Sequence, residues 1–284
     1  MLACILCPVP GAPSDRQALD AAASVALALD CHVVALHARH DPLAFVPYLG
    51  EGMSPGAIDA LIADARRRGE EREAIARRIF DDWARARGLA EAQVPGAAGA
   101  TCSWRREDGA EDAWIVRHGR LADMTILPVP GKEPGPAATI AAEAALIETG
   151  RPVLLAPPSP LALGGTAVVA WNASAQAARA VAAALPLLAR ARSVEVVSVE
   201  ESGRPADPQA LAQWLRRHRI QATARRVARG DGSVAAAIDA ACAEAGASIL
   251  VMGGYTHSRL REMIFGGVTA HALRSARIPV LMAH

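Results

Sequence analysis

The chain has 284 residues, of which 52% are hydrophobic and 4% aromatic, and its formal net charge is +1. This length suits one large domain or two ordinary ones. So balanced a charge creates no overall field that would attract nucleic acid or an anionic membrane, and neither is expected as a partner. No apolar run reaches the roughly 18–20 residues needed to cross a bilayer.

The first predicted elements are a strand over 3–9, a helix over 14–30 and a strand over 32–37. A loop over 41–55 and a long, charged helix over 56–87 follow. Acidic residues interleave with arginines along this helix, so many i,i+3 and i,i+4 ion pairs can form. This pattern favours a solvated helix face over a nucleic-acid patch.

Five cysteines are scattered through the chain, at positions 4, 7, 31, 102 and 242. An odd, dispersed set argues against a disulfide framework and for a reducing cytoplasm. Cys4 and Cys7 have redox or metal spacing, but residues three apart on a strand point to opposite faces, so core packing is preferred. His37 and His40 lack enough converging ligands for a metal site. No catalytic set is legible, so no catalytic residue is assigned.

The order of elements repeats in the second half. The segment ADMTIL at 122–127 precedes RPVLLA at 151–156, just as ASILVM at 247–252 precedes IPVLMA at 278–283. A repeat longer than a hundred residues indicates a duplicated domain rather than a solenoid. The segment PPSPLALGG, at 157–165, has linker chemistry and is the predicted join. The predicted domains are therefore 1–158 and 159–284.

The second half alternates strands with helices throughout. Strands are predicted at 166–171, 194–199, 222–228, 248–253 and 279–283, and helices at 175–190, 207–219, 233–245 and 267–275. Short, continuously apolar strands such as AVVAW and ILVM suit a parallel sheet that is covered on both faces. Each half is therefore predicted to be a doubly wound α/β domain, the first with a helical insert.

The candidate binding site is the stretch ILVMGGYTHSRLREMIFGGVT, at 249–269. A glycine pair ends an apolar strand, a polar, basic loop follows, and a second pair opens a helix. Glycines let backbone N–H groups approach an anion, and a helix N-terminus adds positive partial charge. Ligands bind beyond the carboxyl ends of parallel strands, so Trp171 and Asn172 are expected at the same crevice. Walker A and G-x-G-x-x-G motifs are absent, and a loop kept for structure alone stays an alternative.

The run VMGGYTHSRLREMIFGGVTAHALRSARIPVLMAH strongly resembles the C-terminal signature of the universal stress protein family. The whole second half resembles that family and the first half does so more weakly, so the chain looks like a tandem universal stress protein. The resemblance implies strand order 3-2-1-4-5, with ATP binding in one branch of the family and none in another. It also implies that segments 153–156 and 280–283 lie side by side, so that one chain mimics a dimer. Further homodimerisation stays open.

The nucleotide-binding branch carries the motif G-x2-G-x9-G-[S/T]. Gly253 and Gly266 match its first and third glycines, whereas Thr256 occupies the second and Gly267 the Ser/Thr position. Asn172 stands where family members often carry an acidic residue. The residues expected to bind the nucleotide are Ala170, Trp171, Asn172, Val199, Gly253, Gly254, His257, Ser258, Arg259, Gly266, Gly267, Val268 and Thr269.

Three functions follow as hypotheses. The first is a cytoplasmic, stress-related sensor or binding module that binds ATP, with Mg, in its second half and acts without turnover. The alternatives are a nucleotide-free interaction protein and a weak ATPase, for which neither a base nor a magnesium ligand is identified. The first half ends its first and fourth strands in prolines, which lack the N–H groups of a phosphate cradle. It is therefore expected to bind no nucleotide in this manner and to serve as a scaffold or partner surface.

Overall fold

The computed structural model describes residues 2–39, 54–92, 99–200, 206–230, 232–254 and 267–284. Strands and helices alternate along most of these ranges. The strands are β1 (Cys4–Pro8), β2 (His32–Arg39), β3 (Ala90–Glu91), β4 (Thr101–Asp108), β5 (Met124–Pro128), β6 (Val153–Ala156), β7 (Thr166–Ala170), β8 (Ser193–Val199), β9 (Ala222–Val227), β10 (Ala247–Gly253) and β11 (Val280–Ala283). The helices are α1 (Asp15–Leu29), α2 (Pro55–Arg87), α3 (Glu111–Gly119), α4 (Pro136–Glu143, with a π-helical turn over Ala144–Glu148), α5 (Ala175–Leu188), α6 (Pro208–Arg217), α7 (Val234–Glu244) and α8 (Gly267–Ser275).

The eleven strands form one sheet, in the order β3-β4-β2-β1-β5-β6-β11-β10-β7-β8-β9. Within the described ranges every strand pair is parallel except β6 with β11, where Leu154 lies opposite Leu281. When the strands of each half are counted separately, and the two-residue β3 is set aside, both halves read 3-2-1-4-5. The two halves therefore share one sheet through the last strand of each.

Helices cover both faces of this sheet. Alternate residues of a strand point to opposite faces, so Ile5 packs in one buried cluster with Trp83 of α2, and Leu6 packs in the other with Leu146. Helices α1, α2, α5 and α6 contribute to the first cluster, and α3, α4, α7 and α8 to the second. The prediction of doubly wound α/β architecture from continuously apolar strands is confirmed.

The long insert helix α2 is 33 residues long and begins after Ser54, whose side chain accepts the N–H of Ala57. Its outer face carries exposed ion pairs such as Arg67 with Glu71, as its interleaved charges predict. Such pairs contribute little stability. Phe80 and Trp83 are fully buried and hold the helix against the sheet.

Candidate functional site

A cavity of about 370 Å³ lies at the carboxyl ends of β7, β8 and β10, where the strand order of the second half reverses. Such a switch point is the usual ligand site of an open α/β sheet. The volume falls within the roughly 300–1,000 Å³ typical of small-molecule sites. The described residues that line it are Ala170, Trp171, Asn172, Val197, Val199, Arg229, Ser233, Val234, Ala235, Ile238, Met252, Gly253, Gly267, Val268 and Thr269.

The cavity brings together most of the predicted site residues that the structure describes. They come from the ends of β7, β8 and β10 and from the first turn of α8: Ala170, Trp171, Asn172, Val199, Gly253, Gly267, Val268 and Thr269. The predicted residues His257, Ser258, Arg259 and Gly266 lie outside the described residues, as does Thr256.

The turn after β7 is held by local hydrogen bonds. Asn172 Oδ1 accepts the backbone N–H of Ser174 at 3.1 Å, and the Ser174 hydroxyl caps α5 by accepting the N–H of Ala177 at 3.1 Å. Between them, Ala173 has φ = 58°, in the left-handed region that side chains disfavour. The NH2 of Asn172 has no hydrogen-bond partner among the described residues, which leaves two donors at the cavity wall.

Gly253 ends β10 and lies against the start of α5. A Cβ at this position would be 2.6 Å from the backbone nitrogen of Ala177 and 3.0 Å from the backbone of Gln176. Only glycine therefore permits α5 to approach β10 this closely. The sequence suggested ligand access as the reason for this glycine, and the structure adds a packing reason that applies without any ligand.

Among the predicted site residues that the structure describes, Gly254 is the one that does not line the cavity. Its backbone N–H donates to the carbonyl of Ala283 at 2.8 Å. A Cβ at Gly254 would be 3.3 Å from the side chain of Leu146, which belongs to the first half of the chain. The adjacent glycines thus face different surroundings, because one lies beside the cavity and the other beside the junction of the two halves.

The first residues of α8 form another wall of the cavity. Gly267 begins this helix, and a Cβ there would have no atom of the described residues within 4 Å. Thr269, two residues further along the helix, is buried and also lines the cavity. The helix N-terminus presents N–H groups and positive partial charge at this wall.

Two polar residues of the cavity were missed by sequence reasoning. Arg229 follows β9, and its Nε donates to the carbonyl of Gly232 at 3.0 Å. Ser233 caps α7 by accepting the N–H of Ala236 at 3.1 Å. Both follow the third strand of a parallel sheet, whose carboxyl end reaches the same edge as β7 and β10. Their position after this strand could have identified both residues from the sequence.

The electrostatic character of the cavity is neutral to basic. Arg229 is the one charged side chain among the described residues that line it. The other lining groups are apolar or carry neutral polar atoms. Together with the start of α8, this distribution suits a ligand that has an apolar part and an anionic part.

Metal and thiol chemistry find no support within the described ranges. No group of three or more histidine, cysteine or acidic residues is placed to hold a metal ion there. His37 is buried and its Nδ1 bonds to the Val9 carbonyl at 2.8 Å, whereas His40 lies outside the described residues. Burial raises the pKa of the Cys7 thiol well above its usual value, which suits a core residue rather than a reactive thiolate.

Comparison with known proteins defines the family. The model of the universal stress protein family matches residues 125–284, which is more than half of the chain. The chain therefore belongs to the universal stress protein family. The match begins inside the first half, at β5, and runs through the whole second half.

Solved structures share the fold over the full chain. A universal stress protein from Archaeoglobus fulgidus is 16% identical, with a TM-score of 0.70, and the alignment covers 99% of this chain and 97% of that one. A protein of unknown function from Pseudomonas aeruginosa is 15% identical, with a TM-score of 0.55, over 99% of this chain and 92% of that one. No curated protein matched the sequence. At these identities the likeness establishes the fold.

Proposed function

We propose that the protein is a nucleotide-binding sensor or binding module, with a site for an ATP-type ligand in its C-terminal half. The observation that carries the proposal is the switch-point cavity, in which Asn172, Gly253 and Gly267 come together from three separate elements. The volume of the cavity and the positive charge of Arg229, the one charged side chain among the described lining residues, support a small, partly anionic ligand. Membership of the universal stress protein family supports the same class of ligand.

The base and ribose of the nucleotide would occupy the inner part of the cavity. Val197, Val199, Ile238 and Met252 supply apolar wall surface, which suits a flat ring. Asn172 carries an NH2 group and so can donate to a ribose hydroxyl or a base acceptor.

The phosphates would lie towards the start of α8. Backbone N–H groups at Gly267 and Val268 begin this helix, and Arg229, on the loop after β9, supplies a positive charge to the same cavity. No carboxylate lines the cavity within the described residues. A magnesium ion would therefore be held chiefly by the phosphates of the ligand, as is common for this cation.

A nucleotide-free interaction protein is the second candidate, and the packing of Gly253 favours it. The contact of Gly253 with Ala177 explains this glycine without a ligand. The weak ATPase is a third hypothesis. It requires a base to orient the attacking water.

The tandem arrangement extends this proposal. We propose domains 1–158 and 159–284, supported by the segment between the end of β6 and the start of β7, at 157–165. The antiparallel pairing of β6 with β11 supports an intrachain pseudo-dimer.

The five free cysteines support a reducing, cytoplasmic setting. Among the described residues, no helix has the length and apolarity of a membrane span.

The proposal is tested by analysing what the purified protein carries. The protein is denatured, and the released small molecules are identified by mass spectrometry, in parallel for wild type and Gly267→Asp. Co-purified adenine nucleotide in the wild type, reduced in the variant, supports the proposal. Its absence, together with failure to bind added nucleotide, favours the interaction protein. Steady-state phosphate release that Gly267→Asp abolishes would support the ATPase.

A further inference from the structure

The first half of the chain has its own cavity, of about 450 Å³, at the carboxyl ends of β1 and β5. This is the switch point of that half, since β1 lies between β2 and β5 in the sheet. The walls include Pro8, Leu127, Pro128 and Pro130, with alanines of α4. The prolines offer no N–H groups, so this part of the wall is apolar and cannot form a phosphate cradle.

Asp15, the first residue of α1, is a completely buried carboxyl that lines this cavity. Its Oδ2 accepts the backbone N–H groups of Gly11 at 2.7 Å and Ala12 at 2.9 Å. Its Oδ1 is buried and has no hydrogen-bond partner among the residues that the structure describes. An unpaired buried acceptor of this kind is costly, so a donor that entered the cavity would be bound favourably.

Two further charged groups line the same cavity. Glu111 begins α3, and Arg72 comes from the middle of α2. Burial first, and the charge of Asp15 second, raise the pKa of Glu111 to about 7, while Arg72 acts in the opposite direction. Two carboxylates and one guanidinium give the described part of the lining a charge of −1 when all three are ionised. A single positive charge would neutralise it.

The insert helix closes one side of this site. A Cβ at Gly11 would be 2.7 Å from the backbone oxygen of Arg72, and Gly11 has φ = +90°. Glycine at this position therefore lets α2 lie directly against the loop that holds Asp15. The corresponding helix of the second half, α6, has 10 residues where α2 has 33. One wall of the acidic cavity is therefore formed by α2, the helix in which the two halves differ in length.

We propose that the first-half cavity binds a small organic ammonium ion, with its N–H groups on the carboxyls of Asp15 and Glu111 and its apolar body against the proline and alanine walls. An anion is disfavoured by the two carboxyls and by the proline-rich part of the wall, which has no N–H donors. A metal ion is disfavoured because no cluster of three or more metal-ligating side chains exists within the described ranges. The charge of this cavity is opposite to that of the second-half cavity, so the two halves would recognise different ligands.

Isothermal titration calorimetry of the full chain with 3-methylbutylamine at pH 8 tests this inference. The neutral isostere 3-methylbutan-1-ol is titrated in parallel. We expect saturable binding of the amine, and binding of the alcohol weaker by about tenfold or more, because the alcohol lacks the charge-assisted hydrogen bonds.

Two variants, Asp15→Asn and Glu111→Gln, should each weaken amine binding by about tenfold. Asp59→Asn is the matched control, since it removes one carboxylate from the exposed surface of α2 and should leave binding unchanged. Thermal melting confirms that each variant is folded, and the two cavity variants serve as independent tests. Equal affinity for amine and alcohol, or no saturable binding of ethyl-, butyl- and 3-methylbutylamine by the wild type, overturns the inference. ATP titration of the same samples reports separately on the second-half site.

Discussion

Gly253 and Gly267 line the same cavity but have opposite surroundings. A Cβ at Gly253 would lie 2.6 Å from the backbone nitrogen of Ala177, whereas a Cβ at Gly267 would have no atom within 4 Å in the part of the chain that the structure describes. The first glycine is required by packing whether or not a ligand binds. The second leaves open space at a helix start, so it can be substituted to probe binding without disturbing the fold.

Gly253→Ala should therefore destabilise the protein by about 1–3 kcal/mol, because the new methyl group forces the start of α5 away from β10. Urea unfolding at equilibrium measures this difference. Gly267→Ala is the control and should change the free energy of unfolding by less than about 1 kcal/mol. Similar losses in both variants would contradict the packing account.

Gly267→Ser restores the hydroxyl that the family motif has at this position. The open space around Gly267 accommodates it, and an added hydroxyl can donate to a phosphate oxygen. We expect ATP affinity to rise by roughly fivefold, the gain of about 1 kcal/mol typical of one hydrogen bond. The ATP affinities of Gly267→Ser and Gly267→Ala are compared by calorimetric titration. Because both variants add a Cβ, the difference between them reports the effect of the hydroxyl. Equal affinities would show that the phosphates do not lie near this residue.

Much of the fold could be predicted from the sequence because local patterns determine it. Continuously apolar segments such as AVVAW at 167–171 read as buried parallel strands, and β7 is such a strand. The parallel arrangement then places Asn172 and Gly253 at one edge of the sheet, although they are far apart in sequence. The crevice that contains both residues could therefore be predicted from the topology of the sheet.

The finer assignment of the site could not be predicted, because it depends on tertiary packing. Gly253 and Gly254 were both predicted to bind the ligand, yet only the first lines the cavity. Arg229 follows an ordinary amphipathic strand, and nothing local marks it. The sequence pattern marks Asp15 only as an acidic residue in the first turn of a helix. It is completely buried, in a cavity that Arg72 and Glu111 also line.

Ala173 has a left-handed backbone, with φ = 58°, in the turn that carries Asn172. A Cβ in this conformation costs on the order of 1 kcal/mol, so Ala173→Gly should stabilise the protein by roughly 0.5–1 kcal/mol despite the greater freedom of glycine when unfolded. Thermal and urea unfolding measure this effect. A loss of stability would show that the turn is not strained in solution.

The buried acid of the first half should make stability depend on pH. Burial raises the pKa of Asp15 to about 6, against the opposing hydrogen bonds of Gly11 and Ala12. The folded state therefore binds this proton more tightly than the unfolded state. The contribution of Asp15 to stability is complete below pH 4 and is lost as pH rises through 6.

Asp15→Asn removes this titration while keeping an oxygen for the two backbone donors. Relative to the variant, the wild type should lose about 2–3 kcal/mol of stability between pH 4 and pH 7. Glu111 on α3 and Arg72 on α2 line the same cavity in both proteins, and in the variant the pKa of Glu111 loses the part of its rise that comes from the charge of Asp15. A difference in unfolding free energy that stays constant from pH 4 to pH 8 would contradict the burial of an ionisable group here.

The central claim, nucleotide binding by the second half, is tested most directly by calorimetric titration of ATP into wild type, Gly267→Ala and Gly267→Asp. The account predicts saturable binding at one site per chain, nearly unchanged by alanine and weakened by about tenfold or more by aspartate, whose charge would repel the phosphates. No heat of binding from the wild type, or binding that aspartate leaves unchanged, would contradict it.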